Sequence, residues 1–220
     1  MWWRRRRRYR PHSSLPVRKL LALLDTSESL SVCAAELGVD VGQLLTPLTR
    51  FRLQNPILPW AIDNGAFAGF DEKSFLSLLK REEHHKASCL FVTAPDVVGS
   101  ARRTLECFER WRSRLAAWPL ALVAQDGQQD LPIPWDDVAA VFIGGSTEFK
   151  LSAHAAHIVK AAKILGKWAH VGRVNTPDRF AYFEEMGADS IDGTGISRYS
   201  HMRDAIAKRD AQQLLALDDG

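Results

Sequence analysis

Six short runs of nearly continuous apolar residues, at 58–62, 89–93, 120–124, 139–143, 168–171 and 190–192, recur along the chain, each leading into a tip that carries Asp, Gln or Gly. Nothing else in the sequence restricts the fold as much. A strand that is apolar along its whole length is buried on both faces, and a sheet covered on both faces by intervening helices is parallel. The intervening stretches have helical spacing. Phe75, Leu76, Leu78 and Leu79 share one side of 72–83, and Leu105, Phe108, Trp111 and Leu115 form one stripe over 101–115. Ser152 caps a helix over 152–165 that Gly166 closes. Thr176-Pro177-Asp178 opens another, with proline at its first position, that ends at Gly187; 203–217 is the last.

The segment Val41-Gly42-Gln43-Leu44-Leu45-Thr46-Pro47 adds a seventh strand over 43–46. Seven βα repeats come close to a TIM-like (β/α)8 barrel. The portion from Leu58 onward is short for one, so the expectation is a compact or incomplete barrel, or one completed by N-terminal elements. An open doubly wound sheet is the alternative, although the first βα turn lacks the G-x-G-x-x-G of a dinucleotide site. The expected organisation is a disordered Arg-rich tail (1–16), a short N-terminal helical extension (17–40, with helices at 17–24 and 31–37) and the barrel domain (41–220). Residues 31–40 invite a helix-turn-helix reading with Gly38 in the turn, but 41–47 contains Gly and ends in Pro, and suits a strand better than a recognition helix.

Composition excludes several classes of function. At 220 residues and 46% hydrophobic, the chain has ample material for one core. No apolar run approaches the ~20 residues of a membrane helix, and no secretory signal is read. The formal charge is +3, but six arginines lie in the first ten residues, leaving 23 basic against 26 acidic groups in the rest. The body is therefore not a globally basic nucleic-acid binder, and attraction to phosphate must come from the tail or from local patches. Cys33, Cys89 and Cys107 show no metal or disulfide spacing, which fits a reducing cytoplasm and argues against a metal.

In a parallel barrel the C-terminal strand ends form one rim, and catalytic groups come from several strands. That rule gathers Asp63, Asp96, Gln125, Gly144, Gly145, Arg173 and Asp192 at one mouth. Carboxylates held together in a partly dry site have their pKa values pushed apart, so one can ionise as a nucleophile while another serves as acid or base. Gln125 offers both donor and acceptor to an amide-like or purine edge, and Gly144-Gly145 permits close backbone approach. A single Asp after a strand is commonly just a turn or cap residue; the recurrence across strands carries the joint reading. Lys150 and three histidines are weaker candidates: His154 and His157, at i and i+3 on a helix, lack a third metal ligand and read as surface or packing residues, and His170, within a strand, reads as buried.

Four of these tips also resemble a known family. Ile62-Asp63-Asn64-Gly65-Ala66-Phe67, Val123-Ala124-Gln125-Asp126-Gly127, Phe142-Ile143-Gly144-Gly145 and Ser190-Ile191-Asp192-Gly193 are similar, in order, to motifs of the tRNA-guanine (queuine) transglycosylases, and most of all to small stand-alone proteins of that type that act on 7-deazaguanine in DNA. The resemblance implies Asp192 as the nucleophile at C1′ and Asp63 as the acid/base, with Asp96, Gln125 and Gly145 reading a guanine-like base. It implies no cofactor, and a nucleic-acid substrate, DNA rather than tRNA because the family's zinc subdomain has no counterpart here. A partner protein or a homodimer could supply further grip on the substrate. The other readings are an N-glycosidic hydrolase using the same carboxylates and a non-catalytic nucleic-acid-binding module.

Overall fold

A computed structural model describes residues 20–218. Eight parallel strands close on themselves in sequence order: β1 (Leu21–Leu24), β2 (Val41–Leu45), β3 (Trp60–Ile62), β4 (Cys89–Thr93), β5 (Leu120–Ala124), β6 (Ala140–Ile143), β7 (Trp168–Val171) and β8 (Ser190–Asp192). The protein is a TIM (β/α)8 barrel. Around it lie α1 (Leu30–Leu37), α2 (Glu72–Glu82), α3 (Ala101–Trp111), a single turn α4 (Thr147–Lys150), α5 (Ala153–Ile164), α6 (Pro177–Met186), the short α7 (Thr194–Arg198) and α8 (Ser200–Asp218). No α-helix spans the β2–β3 connection, and the β5–β6 connection holds one 3-10 turn at Gln128–Asp130. These two economies let the barrel close in a short chain.

The expected cap at Ser152 is in place, and three more side chains cap helices. Asp71, Ser100, Ser152 and Thr176 each accept a hydrogen bond from a backbone N–H in the first turn of α2, α3, α5 and α6, and Gly187 ends α6 in the left-handed conformation. Alternation along each strand then sorts the apolar side chains into an interior and an exterior set. Inside the barrel Leu21, Leu23, Leu44, Ala61, Phe91, Ala121, Val123, Ala140 and Phe142 form one cluster. Outside, one cluster packs α1, α5 and α6 on the wall, and another packs α2 and α3 on the opposite side.

Two expectations change. The segment 17–24 is not a helix: Leu21–Leu24 is the first strand, paired with β2 (Ala22 opposite Val41) and with β8 (Leu23 opposite Asp192). Leu20-Leu21-Ala22-Leu23-Leu24 is apolar at every position and so fits either period; the two partner strands decide it. The barrel therefore begins at residue 21 rather than 41, and α1 is its first crossover helix instead of part of an appendage. Closure also removes the open-sheet alternative, and β2 occupies the place a recognition helix would need. The Arg-rich tail at 1–16 lies outside the described residues.

Candidate active site

The rim of C-terminal strand ends holds two connected spaces. A cleft of about 850 Å³ runs past Asp25, Thr49, Arg50, Asp63, Phe67, Arg173, Asp192 and Arg198. A recess of about 70 Å³ goes deeper between Asp63, Asn64, Asp96, Gln125, Phe142, Gly144, Gly145 and Asp192. Asp63, Phe67, Arg173 and Asp192 line both spaces. All seven residues expected at the mouth line the recess. A third, mostly apolar space of about 570 Å³ lies at the opposite barrel end against Leu21, Val41 and Trp168, away from the rim carboxylates.

Asp192 ends β8 and is anchored at both oxygens: Oδ1 accepts from the backbone N–H of Arg173 (3.0 Å) and Oδ2 contacts His170 Nε2 (2.9 Å). The carboxylate remains 16% exposed, open to the cleft. Its loop can pass this close only because residue 193 is glycine, since a Cβ there would stand 2.0 Å from the carbonyl oxygen of Val174. Arg173 has φ +59°, the only non-glycine residue in the left-handed region among those described. That conformation is costly for a residue with a Cβ and recurs where a site over-determines the backbone. Here it aims the Arg173 N–H at Asp192, while the guanidinium donates to the Gly145 carbonyl at 2.5 Å and lies 4.4 Å from the centre of the Phe67 ring.

Asp63, at the end of β3, differs in kind. Burial at the rim, then the charges of Asp192 and Asp96, push its pKa up to about 7, against weaker stabilisation by the N–H groups of Asn64 and Gly65. The two carboxylates thus stand apart: Asp192 receives a backbone donor, and Asp63 holds a proton near neutrality. Burial also raises Asp96, and hydrogen bonds from Asn64 Nδ2 to its Oδ1 (2.8 Å) and from Gln125 Nε2 to its Oδ2 (2.6 Å) pull it partly back. Asn64 Nδ2 also donates to the Ala94 carbonyl and its Oδ1 accepts from Ala66 N–H, while Gln125 Oε1 accepts from Gly99 N–H. Both amides are therefore orientated, and the wall of the recess is a rigid plane of acceptors and donors.

Glycines 144 and 145 answer to the protein's own packing. A Cβ at Gly144 would meet Val123 at 2.7 Å, and one at Gly145 would meet Asp126 Oδ2 at 2.6 Å. Several site residues escaped the sequence. Asn64 and Phe67 sat unread within a quoted motif. Asp25, whose pKa burial raises, accepts from Thr49 Oγ1 at 2.9 Å in the cleft. Lys150, a weaker candidate from sequence, is buried with Nζ donating to the Gly172 carbonyl at 2.8 Å; burial, with the nearby Arg173 charge, lowers its pKa to about 8. His170 is buried as expected, but its ring nitrogen reaches Asp192. His154 and His157 are exposed on α5, and no cluster of three or more His, Cys, Asp or Glu suited to a metal occurs among the described residues. Nor is any helix among them long and apolar enough to cross a membrane.

Comparison with known proteins identifies no family for this chain. No family model matches the chain, and no curated protein matches it. A solved structure that it resembles is phosphoribosyl anthranilate isomerase from Thermus Thermophilus, at 13% identity and TM-score 0.48, covering 88% of this chain and 99% of that one. The resemblance to the tRNA-guanine transglycosylases is accordingly corrected: neither sequence comparison returns that family. The similarity rested on strings of four to six residues at strand ends, and short polar tips of that kind are what any parallel barrel presents at its rim.

Proposed function

We propose that the protein is an enzyme acting at the N-glycosidic bond of a guanine-type nucleotide, releasing or exchanging the base. The observation that carries this reading is the pair Asp192 and Asp63, held in contrasting environments where a recess lined with hydrogen-bonding groups opens into a larger cleft. The recess suits a planar heterocycle. The free lone pairs of Asp96 match the adjacent N1–H and amino group of a guanine edge, the second N–H of Gln125 matches its carbonyl oxygen, and the Phe67 ring offers a stacking face. The cleft, with Arg50, Arg173 and Arg198 among threonine and serine hydroxyls, suits the sugar and phosphates, and a polynucleotide, DNA by preference, is the substrate we favour.

In this scheme one oxygen of Asp192 attacks C1′, the glycosidic electrons leave with the base, and Asp63 gives the departing nitrogen its proton, leaving a glycosyl ester on Asp192. An incoming base then displaces Asp192 and yields its own proton to Asp63; with water as acceptor the outcome is hydrolysis. The test is incubation with guanine-containing DNA, RNA and nucleosides, with and without a labelled guanine or deazaguanine, following base release and label incorporation. Wild-type protein should release or exchange the base, and Asp192→Ala should reduce the rate by about 10³-fold or more. Absence of release and exchange on all three substrates would sink the proposal, as would full activity in Asp192→Ala.

A further inference from the structure

Below the rim the barrel interior is lined mainly by apolar side chains from β1 to β6, with Thr93 of β4 as an exception, and by polar ones from β7 and β8. From β7 and β8, Trp168, His170, Ser190 and Asp192 face inward as one chain of hydrogen bonds, from the lower barrel to the rim. Trp168 Nε1 lies 2.8 Å from Ser190 Oγ, Ser190 Oγ lies 2.8 Å from His170 Nδ1, and His170 Nε2 lies 2.9 Å from Asp192 Oδ2. The direction of this chain follows from chemistry at its two ends. An indole N–H can only donate, so Ser190 Oγ accepts from Trp168, and the one acceptor its own proton has among the described hydrogen bonds is His170 Nδ1. An ionised carboxylate can only accept, so His170 Nε2 carries the proton that meets Asp192. The carboxylate end requires the tautomer with Nε2 protonated, and its bare Nδ1 is what gives the Ser190 proton an acceptor. An imidazolium would turn a second donor on Ser190 and take from the hydroxyl proton the acceptor it now has.

The ring has no freedom to do otherwise. His170 is 0% exposed and sits between the rings of Phe91 and Phe142, at 5.1 and 4.6 Å between centroids. It lines neither the cleft nor the recess. Whatever it does, it does through Asp192. We propose that His170 is a positioning residue: the Trp168–Ser190–His170 chain locks the Nε2–H tautomer, and the resulting bond, with the Arg173 N–H on the other oxygen, holds the Asp192 carboxylate in one rotamer facing the cleft. This inference rests on Asp192 being the attacking group, and it adds a residue of β7 that no substrate touches.

Two measurements separate it from the reaction itself. In the full-length protein, nitrogen–proton correlation spectra of His170 should show the Nε2–H tautomer, and crystal structures should show Asp192 in its present orientation in the wild type and in His170→Gln, whose amide N–H can replace Nε2–H, but rotated in His170→Leu. Base release should fall about tenfold or more in kcat for His170→Leu with KM little changed, and His170→Gln should recover most of the loss. An Nδ1–H tautomer, or a folded His170→Leu protein in which Asp192 and base release are both unaltered, overturns the inference and leaves the reaction standing. The expected tautomer and rotamer change in a protein that releases no base would remove the reaction and leave the positioning role. Should His170→Leu fail to fold, the tautomer and a folded His170→Gln carry the decision: an Nδ1–H signal, or Asp192 rotated despite the amide, overturns it.

Discussion

Two aspartates of the same sequence appearance, each ending or following a strand and preceding a loop, meet different surroundings at the rim. Asp192 is given fixed donors at both oxygens, whereas Asp63 lies where burial and two neighbouring carboxylates favour its proton. Because its folded pKa is raised to about 7, the folded state binds a proton that the unfolded state has already lost, so Asp63's contribution to stability is present below its ordinary value of 3.8 and is lost as pH rises to about 7. Asp63→Asn removes that cost. Its melting temperature should exceed that of the wild type by several degrees at pH 8, and the gap should close toward pH 4; a constant difference across that range would mean that Asp63 is not the group titrating. Base release dependent on the Asp63 proton should decline above about pH 7, and Asp63→Asn should lose both the rate and that limb of the profile. The residues themselves were legible as strand-end acids. Their division of labour was not, because burial and the distance between charges are properties of the assembled rim.

The elements show how little separates a strand from a helix when every residue is apolar. The five-residue run at 20–24 became β1 through its partners, while the strands at 89–93, 120–124, 168–171 and 190–192 coincide with their sequence reading because each is bracketed by proline, glycine or charged tips. Helix starts at Asp71, Ser100, Ser152 and Thr176 were legible for a local reason, since a capping side chain acts within one turn. The short α4 and α7 carry no periodicity and went unread; one of them buries Lys150 behind Arg173. Between elements, buried Asp189 is the join to examine. It leads into β8, accepts from the Ala169 N–H of β7 at 2.8 Å and pairs with Lys163 of α5. Asp189→Ala leaves a buried strand N–H without its charged acceptor, and should cost about 1.5–3 kcal/mol, read as the loss of midpoint in urea unfolding. A loss below about 0.5 kcal/mol would show that solvent replaces the carboxylate there.

At the scale of the molecule, closure is what makes the site. β1 pairs with both β2 and β8, and the backbone of Asp192 is held on one side by Leu23. On the outside, the guanidinium of Arg203 in α8, 1% exposed, binds Glu36 of α1, Glu28 and the Ile196 carbonyl, so the last helix is fastened across the first crossover. A chain starting at Leu30 would lose β1 and open the barrel beside its proposed nucleophile. It should show no cooperative unfolding transition, whereas the full-length protein should unfold cooperatively; equal behaviour of the two would mean that β1 is dispensable. By itself the sequence determined the parallel alternation, the positions of most strands and the set of polar tips, because strand burial and helix capping are written within a few residues. Only the tertiary structure decided that an eighth strand completes the ring, that Arg173 bends into a left-handed turn to reach Asp192, and that a histidine inside the barrel stands behind it. Those outcomes depend on groups far apart in the chain meeting in a dry interior, where a pairing partner or a neighbouring charge outweighs any local preference.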